Sequence, residues 1–245
     1  YEAFYKEETA YRKEAFYPPY CRLIKLTFLD TIKEKAVARA TDVADELEKS
    51  AVLPGVPQQA DFYKTFAKPI ISSGGRACVI ISDSLRYEVA VELTGQLIRE
   101  TKGSAKISAM QATFPSATKF GMAALLPHEN LQLTDDGKVL CDGDPTEGTS
   151  SREKILGKVH PGNVAITYKK LLAMTKDERQ KAVANAQVVY IYHNAIDAIG
   201  DKAVTEDEVF DACEEAILEL KNLVRIITNT MNGTNVLITA DHGFL

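Results

Sequence analysis

ACVIISDSLRYEVAVELTGQLIRET, residues 77–101, decides the architecture. Its opening run is apolar without alternation, the pattern of a strand buried on both faces of a parallel sheet. Polar Asp83 ends that run, and from Leu85 the apolar period becomes helical. The same texture recurs downstream. AKISAM (105–110) reads as a strand followed by a helix, SATKFGMAALL (116–126). Short helices are expected at 167–174 and 176–186, and QVVYIYH (187–193) is a second continuously apolar strand. A long helix opens with Thr205 and Glu208 in capping-box spacing. Its stripe runs through Val209, Cys213, Ile217, Leu220, Leu223, Ile227 and Met231 to Gly233, before a last strand, NVLITA (235–240). Residues 128–163 are polar and Gly-rich and read as a long irregular loop. Strands alternating with helices give an α/β fold, a mostly parallel sheet sandwiched by helices.

Upstream the texture differs. Residues 1–20 close on Tyr17-Pro18-Pro19-Tyr20, RLIKLTF (22–28) alternates as a half-buried strand does, and 31–50 form an amphipathic helix. Leu53-Pro54-Gly55-Val56-Pro57 reads as a linker. One strand and one helix bury too little surface to stand alone. Residues 1–57 are therefore expected to be a partial α+β appendage, and residues 58–245 the main domain.

The totals narrow the function classes. Of 245 residues 45% are hydrophobic, enough for a sizeable core, and the net charge of −5 counts against nucleic-acid binding through bulk charge. No apolar run approaches the ~20 residues of a membrane-spanning helix. Cys21, Cys78, Cys141 and Cys213 lack metal-ligand or CxxC spacing, so reduced thiols and a cytoplasmic location are expected. No GxxxxGK[ST] motif is present, which argues against ATP hydrolysis.

Ligands of open α/β sheets bind at the carboxyl ends of the strands. Three apolar strands here run into acid: Asp83, Asp197 shortly after VVYIYH, and Asp241 after VLITA, joined by His242. Asp201 stands one helical turn past Asp197, and His193 lies at its strand mouth. Any one Asp has an ordinary use as a helix N-cap, Asp83 for a helix opening at Ser84 or Leu85. Several carboxylates and an imidazole on one sheet edge repel unless something cationic lies between them. One or two divalent metals resolve that, and mixed O/N ligands suit zinc or manganese better than calcium. Thr113, Ser116 and Thr118 form a hydroxyl-rich turn before the helix at 116–126. A hydroxyl beside a metal can attack phosphorus; the plainer reading makes these residues N-caps.

ISDSLRYEVAVEL, FPSATKFGMAALLPH, DGDPTEGTSSREKIL, YIYHNAIDAIGDKA and VLITADHGFL, in this order and spacing, resemble the PglZ domain of the alkaline phosphatase superfamily, over residues ~60–245. Such domains occur in BREX phage-defence systems and in certain response regulators. The resemblance implies a two-metal phosphatase or phosphodiesterase core acting on a phosphoester or nucleotide, with other phage-defence proteins as partners. Asp83, a nucleophilic hydroxyl, Asp241 and His242 would bind one ion; Asp197, the residue four further on and a late histidine would bind the other. Two departures stand out: Asp201 occupies a position where phosphodiesterase relatives carry His, and no residue matches the late histidine, as if the chain stopped before the site was finished. The family pattern ranks Thr118 first as nucleophile, then Ser116, then Thr113. It leaves His193 and Arg86 as supporting contacts. EAFYKEETAYRKEAFYPPYCRLIKLTF resembles the start of the C-terminal domain of the replication-restart helicase PriA. Two other readings stay open: a non-catalytic interaction module that keeps the fold, and a nucleic-acid-binding fragment of such a helicase.

Overall fold

The computed structural model describes residues 55–101, 103–196 and 206–243. The proposed appendage up to residue 54, Cys21, Asp197, Asp201 and the capping pair at Thr205 and Glu208 lie outside the described side chains.

The centre is a four-stranded parallel sheet in the order β5-β6-β1-β7. It consists of β1 (Ala77–Ser82), β5 (Val164–Thr167), β6 (Val188–His193) and β7 (Asn235–Thr239). β1 is internal: Ile80 aligns with Ile191 on one side and Ile238 on the other. All six residues of β1 and of β6 are buried, which is why both read as unbroken apolar runs.

Alternate side chains feed two cores. Cys78 and Ile80 of β1, with Val189 and Ile191 of β6, meet α2 (Tyr87–Glu100), α5 (Tyr168–Ala173), α6 (Lys176–Ala182) and α7 (Glu206–Thr230). Ala77, Val79, Ile81, Val188, Tyr190 and Tyr192 face the other way, toward α3 (Thr118–Ala124), α4 (Gly148–Val159) and the turns before α1 (Lys68–Ser72). Full burial of each such side chain stabilises by about 1.5–3 kcal/mol, and truncating Ile80 to Ala would cost about 2–5 kcal/mol. Arg76, just before β1, ties the opposite end of the sheet. Its guanidinium donates to the Ala186 and Met231 carbonyls, each at 2.9 Å.

Three expectations are corrected and one strand is added. AKISAM (105–110) forms no strand: its residues pair with none of the described strands, and Ile107 is exposed. Pairing resumes only at Gln111, in a parallel bridge with Gln58. Residues 128–163 are not an irregular loop. They hold an antiparallel sheet of β2 (Leu131–Leu133), β3 (Val139–Cys141) and β4 (Asp144–Pro145), then α4, anchored by buried Ile155 and Leu156. The edge strand β5 was not anticipated. Asp83 caps no helix, because α2 begins at Tyr87 with Arg86 at its N-cap. No helix among the described residues is long and apolar enough to cross a membrane.

Candidate metal centre

β1 and β7 deliver the acids. The ladder of β1 runs one residue past the strand, where the Asp83 N–H donates to the His193 carbonyl at 2.8 Å. Ser84 then turns with φ 61°, a left-handed conformation that costs a non-glycine residue roughly 1–2 kcal/mol. That turn aims the Ser84 N–H at Asp241 Oδ1, 3.1 Å away.

Asp241 and His242 follow β7 directly. Asp83, Asp241 and His242 each offer one ligand atom, and the three atoms lie within 4.8 Å of one another. His242 Nε2 stands 3.6 Å from Asp83 Oδ1 and 3.4 Å from Asp241 Oδ2. Asp241 is fully buried, and its Oδ2 has no hydrogen-bond partner. On the far side of the ring, Nδ1 lies 2.8 Å from the Gly243 carbonyl, which can only accept. Nδ1 therefore carries the proton and, in the neutral ring, Nε2 presents its lone pair to the carboxylates. Two buried carboxylate oxygens, Asp83 Oδ1 and Asp241 Oδ2, facing an imidazole lone pair fit a small cation. Their oxygen and nitrogen atoms suit a transition-series divalent ion.

Thr118, the first residue of α3, completes the group: its Oγ1 lies 2.9 Å from His242 Nε2. The N-cap of α3 is Ala117, so neither Ser116 nor Thr113 caps this helix. Ser116 is exposed. Thr113 is held by its backbone, whose N–H donates to Gln59 Oε1 at 2.9 Å, while its Oγ1 is buried without a hydrogen-bond partner.

Gly121 explains how α3 comes so close. A Cβ at that position would stand 2.0 Å from the Asp241 carbonyl oxygen, so only glycine allows the contact. Gln59 is the residue the sequence reading missed. It is buried, and its Nε2 donates to the carbonyls of Ala240 at 3.0 Å and Asp241 at 2.7 Å. A polar residue serving distant backbone groups leaves no local pattern to find.

His193 and Arg86 stand outside the ligand group. His193 bridges Ser82 Oγ (Nδ1, 2.9 Å) and Glu219 Oε2 (Nε2, 2.7 Å), with Tyr168 edge-on to its ring. Burial holds its pKa below the ordinary value of 6.5, against the opposing pull of Glu219. Arg86 exerts its charge on Cys213 of α7. His128 and His160 bond locally, to the Leu126 carbonyl and the Gly162 N–H.

A helix-flanked parallel sheet, with an Asp, an Asp-His pair and a threonine at its carboxyl edge, is consistent with an alkaline phosphatase-like fold. More narrowly, residues 62–245 match the family model of the BREX system PglZ alkaline phosphatase-like domain, and the chain belongs to that family. It is 40% identical over 214 residues, or 87% of its length, to the alkaline phosphatase-like protein PglZ of Bacillus cereus strain H3081.97. It is 45% identical over 197 residues, or 79% of its length, to the alkaline phosphatase-like protein BrxZ of Escherichia coli O9:H4 strain HS. The first of these similarities is longer than the stretch 62–245 and so reaches upstream of residue 57. The chain spans about a quarter of the length of either relative.

Proposed function

We propose that this domain is a metal-dependent phosphoester hydrolase with Thr118 as its nucleophile. One observation carries the reading: Thr118 Oγ1 lies against His242 Nε2, the ring atom that also faces Asp83 and Asp241. A divalent cation held by Asp83, Asp241 and His242 would neutralise the carboxylates and polarise a phosphoryl oxygen. Zinc is the proposed ion, with manganese the alternative, and a second ion is assigned to the segment carrying Asp197 and Asp201. The chain's own contribution is placement. Gly243 fixes the tautomer of His242, Ser84 fixes the carboxylate of Asp241, and α3 brings the hydroxyl to His242. Thr118 Oγ1 attacks phosphorus as the bond to the leaving alcohol breaks, its proton ending on that alcohol, and water then cleaves the threonine ester to release phosphate or, from a diester, a phosphomonoester. The substrate is a phosphomonoester, a nucleotide or a nucleic-acid phosphodiester, and the setting is cytoplasmic phage defence alongside other BREX proteins.

Hydrolysis of an aryl phosphate and of a bis-aryl phosphodiester, with zinc or manganese and with chelator, tests this. Turnover that is lost with chelator and lost in Thr118→Ala is expected. A rate indifferent to both changes overturns the reading. Cation binding without turnover of either ester points instead to an interaction module that keeps the fold.

A further inference from the structure

We propose that Gln59 is a positioning residue that sets the ligands at 241 and 242 and couples them to the turn leading to Thr118. The proposal rests on the metal-site reading above. Gln59 uses its whole amide: Oε1 accepts from the Thr113 N–H, while Nε2 donates to both the Ala240 and Asp241 carbonyls. Those partners fix its orientation, because a flipped amide would set donor against donor at Thr113 and oxygen against oxygen at both carbonyls.

The two carbonyls need this help. The ladder between β1 and β7 ends at the pair Ile81–Thr239, so residues 240 and 241 lie beyond it. The ligand-bearing backbone is instead wedged between the Gln59 amide and the face of α3 opened by Gly121. Asp241 is thus gripped twice, at its carboxylate by Ser84 and at its carbonyl by Gln59. Gln59 is itself anchored. Its N–H donates to the Gln111 carbonyl at 2.9 Å, and the Gln111 N–H donates to Pro57 at 2.8 Å. One side chain thereby ties the hydroxyl turn to the strand end, two segments far apart in sequence. Gln59 also lies upstream of the residues matched by the family model.

The test reads the metal, with activity left aside. Co²⁺ is titrated into wild type, Gln59→Met and Gln59→Asn, following heat and the visible absorption of the bound ion, which reports coordination geometry. Gln59→Met keeps the size and removes all three hydrogen bonds; its Co²⁺ affinity is expected to fall about 10- to 100-fold, with a shifted spectrum. Gln59→Asn keeps the amide one methylene shorter and is expected to recover part of both. If Gln59→Met does not fold, Gln59→Asn carries the comparison, with a weaker affinity and a shifted spectrum expected. Folded variants with wild-type affinity and an unshifted spectrum overturn the proposal alone. A wild type that binds no cation removes the metal-site reading and this proposal with it.

Discussion

Thr118 Oγ1 and His242 Nε2, separated by 124 positions in the chain, stand 2.9 Å apart. That contact distinguishes Thr118 from the other hydroxyls of its turn. Thr118→Ala is expected to lower kcat about a thousandfold or more. Ser116→Ala, at an exposed site, should stay within a few-fold of wild type. Steady-state kinetics on an aryl phosphoester, with cation affinity measured in parallel, checks both. A Ser116→Ala loss as large as that of Thr118→Ala would move the nucleophile.

Asp241 Oδ2 is buried without a hydrogen-bond partner, close to a second carboxylate. In chelator, Asp241→Asn is expected to melt no lower than wild type, because a buried charge is removed while the Ser84 N–H keeps an oxygen acceptor. A cation at 100 times its Kd stabilises wild type by about 2.7 kcal/mol, roughly 5–10 °C for a chain of this size. Most of that gain should vanish in Asp241→Asn. Melting curves with zinc and with chelator give both numbers.

Gly121→Ala places a methyl where the Asp241 carbonyl already is. Overpacking against backbone is expected to cost about 1–3 kcal/mol or more. The displaced helix should also weaken cation binding. Gly95→Ala, on helix α2 of the other face, meets only the flexible end of Arg99 and serves as the control; it should be neutral or stabilising. Urea denaturation and cation titration of the two variants check the contrast.

His193 is buried between Ser82 and Glu219 with its pKa held down chiefly by burial. An unfolded histidine takes up a proton near pH 6.5 that the folded ring resists, so the unfolded state binds more protons below that pH. The contribution is present above the ordinary histidine value and is lost as pH falls through it toward the lowered folded value. His193→Gln should flatten that part of the profile whatever its effect on stability at neutral pH. Denaturation in chelator across pH 5 to 8 reads the difference in slope.

The parts of the fold legible in sequence are those whose burial is written locally. β1, β6 and β7 are near-continuous apolar runs, and the acids that follow β1 and β7 meet because parallel strands end at one edge. AKISAM reads as a strand because a short half-apolar run looks the same whether or not a neighbour accepts its hydrogen bonds. Helix α4 was hidden by a thin stripe, with Gly148 and Gly157 inside it and only Ile155 and Leu156 buried. Strands of two or three residues, as in β2 to β4, fall below any useful periodicity window. Gln59 was out of reach for another reason: its partners at Ala240 and Asp241 lie 181 and 182 residues away, and only the folded chain reveals them.

The internal place of β1 has a consequence for biosynthesis. Ser82 emerges from the ribosome 111 residues before His193, its neighbour on β6. At 5–20 residues per second that interval is roughly 5–20 s, and β7 follows later still. Throughout it a strand apolar from Ala77 to Ile81 is exposed without its β6 mate, a natural client for chaperones that shield nascent polypeptides. The candidate site comes together only once β7 has been made, and chains stalled short of residue 241 carry Thr118 without the histidine it stands beside.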